Sequence, residues 1–409
     1  MNRKCKYCNN SLEHIFIDLG EQPLCNNNIP FSLVKTEEEK YPLQTFICDS
    51  CFLVQVGHSI SPKVIYDNYT YFSSYSGYWL NHIKKYCDNV TSRFNLTKNS
   101  FVVEIASNDG YLLKNFLGNH IPCLGIEPSL TVAEAAQKDG VPTLTEFFSA
   151  KISDKVKSDY GKADLIIANN VFAHVPEIND FTLGIKNLLK PNGVFTIEFP
   201  YLLELMKNNQ FDTIYHEHFF YYSLYSVSKI LAKQNLKIFD IEKLATHGGS
   251  LRLFVTHNKN TKYKVEKSVW ELQNEEKKLG VNNLEFYKNF AKRIEEIKQI
   301  FITEINKIKK GNKKIAAYGA PGKGNTLLNY YGINKDIIDF TVDRNPIKQN
   351  TFLPGSKIPV YAPEKIAESK PDYVVILPWN LKDEIMESLK YIKQWGGKFI
   401  IPIPQFKII

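Results

Sequence analysis

The sequence predicts an α/β protein in which a small N-terminal zinc-binding domain precedes two doubly wound strand–helix units. Three observations carry that expectation. Two Cys-x-x-C pairs lie near the N-terminus. A strand, a turn of small residues and a helix start follow one another from residue 101, with further apolar strands behind them. A second unit of the same kind begins at residue 314, beyond a long charged stretch. The chain therefore divides into a zinc-binding domain at 1–65, a central domain at 66–258, a helical connector at 259–310 and a second α/β domain at 311–409.

Length and composition permit this division. At roughly 100–200 residues per domain, 409 residues suffice for several domains. Hydrophobic residues make up 44% of the chain and charged residues 23%, enough apolar material for more than one core. The net charge of +8, from 51 basic and 43 acidic residues, is mild for this size and suits an anionic small substrate. The lysines are spread among acids rather than gathered in a stripe, so no nucleic-acid partner is expected. No apolar run reaches the ~18 residues of a membrane span, and Met1-Asn2-Arg3-Lys4-Cys5 lacks the apolar core of a signal peptide. The expected compartment is the cytoplasm, with no membrane partner. Nothing in the pattern demands a dimer, and a monomer is expected.

The first element is a metal knuckle. Cys5-Lys6-Tyr7-Cys8 and Cys48-Asp49-Ser50-Cys51 each offer two thiolates from one tight turn, and zinc takes four in a tetrahedron. The 39 residues between Cys8 and Cys48 must form a loop or hairpin. With Cys5, Cys8, Cys48 and Cys51 all engaged, no coordination position stays open for catalysis, so the zinc is structural. Cys25, Cys87 and Cys123 are isolated and read as ordinary partly buried residues.

The central unit begins with a buried strand at 101–105, a turn through Ala106-Ser107-Asn108-Asp109-Gly110 and a helix from Tyr111. A second strand at 123–126 ends in Glu127-Pro128, where a carboxylate can accept from both ribose hydroxyls. Further strands are expected near 141–144, at 163–168 and at 193–198, with Asn169 and Asn170 at a carboxyl end, where ligands bind in such sheets. This is a Rossmann-like unit, but its turn is not Gly-x-Gly-x-x-Gly. A ligand without phosphate, such as S-adenosylmethionine (SAM), needs no pyrophosphate cradle. The candidate cofactor residues are Glu104, Ala106, Ser107, Asn108, Asp109, Gly110, Glu127, Pro128, Asn169 and Asn170. Phe147, after the third strand, is a candidate to flank an adenine ring.

Behind the fifth strand, Tyr215-His216-Glu217-His218 gathers four acid–base side chains. If extended, the piece puts Tyr215 and Glu217 on one face and His216 and His218 on the other; a turn brings Glu217 and His218 together. A histidine near its free pKa of about 6.5 is the natural general base at neutral pH. Upstream, the tyrosine-rich run from Tyr66 to Ser76 joins the zinc domain to a helix at 79–90 and is placed to close over a site.

The stretch 261–310 shows apolar residues at three- and four-residue spacing (Ile294, Ile297, Ile300, Phe301, Ile305, Ile308), as a long amphipathic connector does. A strand at 314–318 then leads into Gly319-Ala320-Pro321-Gly322-Lys323-Gly324 and a helix expected from Asn325. Backbone N–H groups and Lys323 at a helix start make a phosphate cradle. Strands at 340–342 and 373–377 complete a second Rossmann-like domain.

Taken together, these motifs resemble the nucleotide-sugar C-methyltransferases, which methylate a carbon of a keto-deoxysugar carried on a nucleoside diphosphate. The resemblance rests on the paired Cys-x-x-C motifs, the run Tyr69-Thr70-Tyr71-Phe72-Ser73-Ser74-Tyr75-Ser76, Glu104 to Gly110, Tyr215 to His218, and Tyr318 to Tyr330. It implies that the central domain binds SAM and that the last domain helps hold the nucleotide sugar. It further implies acid–base roles for Tyr215, Glu217 and His218, and roles nearby for His174 and a linker tyrosine, matched to Tyr69. Tyr71, Tyr75, Ser76, Gly319, Lys323 and Asn325 become candidate substrate contacts. Ala106 departs from the family, where many members have glycine. The reaction implied is removal of a proton by His218 beside a ketone, at C3 of a 4-keto-6-deoxyhexose, and attack of the enolate on the SAM methyl. Methylation of an oxygen or nitrogen of another small metabolite is the competing reading.

Overall fold

The computed structural model describes residues 3–33, 37–58, 60–61, 74 and 77–409. Tyr69, Tyr71, Tyr75 and Ser76 lie outside the described residues.

The central sheet has seven strands in the order Leu236–Leu244, Ser250–His257, Leu189–Pro200, Ala163–Asn169, Val102–Ile105, Cys123–Ile126, Thr143–Leu144. The last five run parallel and the first two antiparallel. Parallel strands covered on both faces read as continuous apolar runs, which is why Val102–Ile105 is buried at all four positions. Alternate side chains feed two cores: Val102, Leu165, Ile167 and Val194 on one face, Val103, Ile166, Ala168 and Phe195 on the other. The chain order reverses between Val102–Ile105 and Ala163–Asn169, so a ligand crevice opens at their carboxyl ends.

The C-terminal sheet repeats the plan. Its parallel strands run Lys398–Ile401, Tyr373–Ile376, Ile315–Tyr318, Phe340–Val342, Pro359–Tyr361. The helix behind its first strand is Gly322–Tyr331, so Gly322, Lys323 and Gly324 form its first turn rather than the loop expected before Asn325. Pro321, just ahead of the helix, fixes a backbone angle that suits such a start.

The zinc domain is not a separate bead. The insert between Cys8 and Cys48 forms the antiparallel strands His14–Gln22 and Tyr41–Ile47, and Val54–Val56 extends that sheet. Its fourth strand is Phe220–Tyr221 of the central domain. Between the first two strands the chain swings out far enough for Ile29–Pro30 to pair with Thr351–Phe352 of the C-terminal sheet. The long charged stretch is two helices, Lys267–Leu279 and Phe290–Lys310. The second docks on the zinc domain, Phe290 stacking on Phe16 with ring centroids 4.8 Å apart. Its stripe of Ile294, Ile297, Phe301, Ile305 and Ile308 is buried, while Ile300 is exposed. Among the described residues no helix is long and apolar enough to cross a membrane.

Candidate active site and metal centre

The four knuckle sulfurs lie within 4.8 Å of one another. Cys5 and Cys51 are 3.6 Å apart and Cys8 and Cys48 3.5 Å. A tetrahedron with metal–sulfur bonds of about 2.3 Å has edges of about 3.8 Å, so the cage fits zinc. The neighbouring Cys48 and Cys51 sulfurs, with Gln55 Nε2 donating at 3.1 Å, pull the Cys5 thiol below its ordinary range. The residue after each knuckle, Asn9 and Phe52, has φ of 62° and 56°, the left-handed step that turns the chain back on the metal. The knuckle is tied to the central domain: Tyr7 Oη donates to the Lys229 carbonyl at 2.7 Å, and Asn179 Nδ2 to the Tyr7 carbonyl at 3.0 Å.

At the switch point, Glu127 accepts from the backbone N–H of Asn108 at 3.0 Å and of Ser129 at 2.9 Å. The turn needs unusual backbone angles, with φ of 53° at Ala106, 50° at Asn108 and 73° at Gly110. Ala106 thus holds a conformation that glycine adopts freely, which accounts for the family's glycine there. Gly110 is doubly required, because a Cβ would meet Val141 at 2.8 Å. Several buried polar atoms here have no protein partner among the described residues: Glu104 Oε2, Ser107 Oγ, Asp109 Oδ1, both amide atoms of Asn169 and Asn170 Oδ1. Buried polar atoms are rarely left unsatisfied, so this cluster marks the place of a polar ligand. Burial, with Glu127 and Asp109 close by, pushes the Glu104 carboxyl well above the usual carboxylate range. Three carboxyl groups converging on one crevice suit a ligand with positive charge, and SAM carries a sulfonium and an ammonium. Pro128 follows Glu127 at the same strand tip, and Phe147 is exposed beyond the third strand.

The 215–218 segment is a turn, closed by the His218 N–H donating to the Tyr215 carbonyl at 2.9 Å. Its rings therefore do not alternate. Tyr215 and His218 stack with centroids 4.0 Å apart. His216 turns away, with Nε2 3.2 Å from the Tyr41 carbonyl. Glu217 also turns away, taking Asn26 Nδ2 at 2.6 Å, so the expected pairing of Glu217 with His218 is not formed. The His218 ring is oriented by a backbone group instead, Nδ1 donating to the Thr213 carbonyl at 2.9 Å. His174 is brought up by main-chain bonding: the Phe219 N–H donates to the Ala173 carbonyl at 2.7 Å, and the His174 and His218 rings meet edge to face at 4.7 Å. Neither histidine keeps the free value of about 6.5. Burial takes His174 down to about 4, and burial with His174 and His247 nearby takes His218 well below the usual range.

The start of helix Gly322–Tyr331 packs near residues 211–213, just ahead of the turn. Lys323 Nζ sits 4.3 Å from the centre of the Trp379 ring and bonds Asn380 Oδ1. Trp379 Nε1 donates to Asp212 Oδ2 at 2.7 Å, and Asp212 Oδ1 is buried with no hydrogen-bond partner among the described residues. Burial raises Asp212 to about 6 against the pull of Lys323, and burial lowers Lys323 to about 8 against the pull of Asp212. Gly319, with φ of 91°, packs against Pro378. Asn325 is the fourth residue of the helix, is fully buried and donates Nδ2 to the Cys25 carbonyl at 2.6 Å. Cys25, expected to be an ordinary partly buried residue, is fully enclosed, 3.8 Å from Glu217 Oε1.

Sequence reasoning missed Asp212, Thr213, Trp379 and the Asn26 loop. It also missed a buried ion pair beneath the site. Burial works against the Glu198 carboxylate, but His82 and Arg252 hold it down at about 2, with Arg252 Nη2 at 2.7 Å and Thr246 Oγ1 donating at 2.9 Å. Asp212 carried one visible mark, a lone acid in the otherwise uncharged run Asn209-Gln210-Phe211-Asp212-Thr213-Ile214.

Three family models match successive parts of the chain: a zinc binding domain over residues 5–66, a methyltransferase domain over 78–241, and a C-methyltransferase C-terminal domain over 245–404. The C-methyltransferase NovU of Streptomyces niveus is 34% identical over 406 residues, covering 99% of this chain and 96% of that protein. Among solved structures, the PH0226 protein of Pyrococcus horikoshii OT3 is similar at 18% identity and a TM-score of 0.38, over 48% of this chain and 99% of its own. The magnesium protoporphyrin IX methyltransferase of Synechocystis PCC 6803, with bound SAH, gives 15% identity and a TM-score of 0.35, over 48% of this chain and 91% of its own.

Proposed function

The chain belongs to the C-methyltransferase family and is a SAM-dependent enzyme, and from that premise we propose that it methylates a carbon of a nucleoside-diphosphate-linked keto-deoxysugar, at C3 of a 4-keto-6-deoxyhexose. The observation that carries this reading is the tautomer of His218. Its Nδ1–H is committed to the Thr213 carbonyl, so Nε2 keeps its lone pair. Burial also keeps the resting ring neutral at neutral pH, the form that can take a proton. A carbon acceptor has no lone pair of its own and must first lose a proton. Oxygen and nitrogen acceptors need a base less.

His218 Nε2 takes the C3 proton, and the C–H electron pair moves into an enolate whose charge falls on the C4 oxygen. Tyr215, stacked on His218, is assigned as a donor to that oxygen, and His174, at the edge of the ring with its N–H on the Glu217 carbonyl, is assigned to supporting His218. Tyr69 is assigned to the same oxygen by its place in the family motif. SAM supplies an electrophilic methyl group, whose bond to sulfur breaks as the enolate carbon bonds to it. Glu104, the turn from Ala106 to Gly110, Glu127, Pro128, Phe147, Asn169 and Asn170 are assigned to SAM, with the partnerless atoms at the strand tips as support. Lys323, in the first turn of its helix and beside Asp212, is assigned to the diphosphate. The zinc, its four positions filled by thiolates, takes no part in the bond changes.

The test is mass spectrometry of the purified protein with SAM and a panel of nucleoside-diphosphate 4-keto-6-deoxysugars, in water and in D2O. One methyl gained on the sugar, with deuterium washed into C3 when SAM is left out, is the expected result. Protein that binds SAM but neither exchanges nor methylates any sugar of the panel would overturn the reading and favour an oxygen or nitrogen acceptor.

A further inference from the structure

We propose that Asn26, from the insert of the zinc domain, is a positioning residue for the reaction, acting through Glu217 on the 215–218 turn. The inference rests on the assignment of that turn to the chemistry and extends it to a part of the chain far away in sequence. Asn26 Nδ2 donates to Glu217 Oε1 at 2.6 Å across 191 residues. A hydrogen bond to a carboxylate is among the stronger kinds, and here the acceptor, Glu217, is buried while Asn26 reaches it from an exposed loop. Beyond Asn26, the Cys25 thiol stands 3.8 Å from the carboxyl and the Lys348 ammonium acts on it at longer range.

Asn26 is held in place from the other side. The Cys25 carbonyl accepts from Asn325 Nδ2 at 2.6 Å, and Asn28 Nδ2 donates to Thr351 Oγ1 at 3.0 Å. Strand Ile29–Pro30 is hydrogen-bonded into the C-terminal sheet. A Cβ on Gly322 would stand 2.8 Å from Asn26 Oδ1 and 2.9 Å from Cys25 Sγ, so the helix start presses directly on the loop. The loop is thereby bolted to the C-terminal domain, and its free amide grips the turn of the central domain. Glu217 is the neighbour of His218 in the chain. Fixing its side chain fixes the peptide that sets the His218 ring against Tyr215 and Thr213.

The experiment is hydrogen–deuterium exchange of peptides covering 211–222, alongside methyl-transfer kinetics and SAM calorimetry. The variants are Asn26→Leu, Asn26→Asp, and the swap Asn26→Asp with Glu217→Gln, in which the glutamine amide donates to the new carboxylate. Asn26→Leu and Asn26→Asp are expected to speed exchange in 215–219 and to lower kcat by about tenfold or more, since small displacements of catalytic groups have effects of that size. SAM affinity stays within about twofold of wild type, because the switch point is untouched. The swap restores slow exchange. The proposal is overturned if both single variants keep wild-type exchange, whether or not kcat falls, or if the swap leaves the segment as loose as Asn26→Asp. Exchange needs no substrate, so a wild-type protein that binds SAM and methylates no sugar nucleotide would remove the substrate reading and leave this one standing.

Discussion

His218 and His174 meet edge to face, their ring centroids 4.7 Å apart, and each is hydrogen-bonded to a main-chain carbonyl, Thr213 for His218 and Glu217 for His174. Two imidazoles this close cannot easily both carry a proton. The arrangement favours a neutral pair with lone pairs available to the cleft. Replacing His218 with asparagine keeps the bulk and removes the base. The expected outcome is a fall in kcat of about 10²–10⁴-fold with SAM affinity unchanged, measured by steady-state kinetics and calorimetry. Replacing His174 with asparagine removes a group whose protonation competes with that of His218, so the His218 pKa moves back up. The acid limb of kcat/KM then shifts to higher pH, and a limb that stays in place would show that the two rings do not titrate together.

The zinc cage reaches the chemistry through the sheet. Val54–Val56 follows the second knuckle and pairs with Phe220–Tyr221, directly beyond the 215–218 turn. The Val56 N–H also donates to the Phe219 carbonyl at 3.0 Å. Cys48→Ser is expected to cost most of the bound zinc, as measured by elemental analysis, because small cages depend on every thiolate. Methyl transfer falls with it by about tenfold or more, while SAM binding persists because its crevice belongs to the central sheet. A variant without zinc but with full activity would show that the strand pairing stands without the metal.

Much of this was legible in the sequence because local patterns report local structure. The turn from Ala106 to Gly110 and the acid at Glu127 lie where strand and helix periodicities change, and both sit at the switch point. The Cys-x-x-C pairs announce their geometry through spacing alone. What stayed hidden was made by long-range meetings. Asn26 is an unremarkable loop residue until a swing of the chain delivers it to Glu217, and Asp212 acquires its role only when Trp379 arrives from the last domain. Alternation could not decide the faces of Tyr215 and His218, because a turn, not a strand, sets their relation. The first helix of the C-terminal domain starts three residues early because Pro321 suits a helix N-terminus and the glycines, free of side chains, permit close packing.

His216 offers a test of burial alone. Its ring is buried, its Nδ1 has no partner among the described residues, and burial outweighs the Tyr41 and Pro42 carbonyls to take it down to about 4. The unfolded chain, with a histidine near 6.5, binds more protons than the native one between those values. Its contribution to stability is therefore full above pH 6.5 and is lost as pH falls toward 4. Relative to His216→Phe, wild type should lose about 1 kcal/mol of stability between pH 7 and pH 5.5, measured by urea unfolding at both. Equal differences at the two pH values would mean that the ring titrates as if exposed.

Asp212 and Lys323 support each other's charge across the cleft wall. Burial lowers Lys323 to about 8 and would lower it further without the carboxylate, because Asp212 raises it. Asp212→Asn keeps the shape and the acceptor for Trp379 but takes the charge away. Lys323 then gives up its proton at lower pH, and an anionic substrate loses its cation earlier as pH rises. The expected outcome is a basic limb of kcat/KM displaced to lower pH, about tenfold weaker kcat/KM at pH 8, and little change in kcat with substrate saturating. SAM affinity, measured in parallel, is expected to stay constant, since Glu104, Glu127 and the Ala106 turn, the residues assigned to it, do not bond Asp212 or Lys323. If kcat falls instead while KM holds, the lysine acts on the reacting sugar, and the diphosphate is held by other groups.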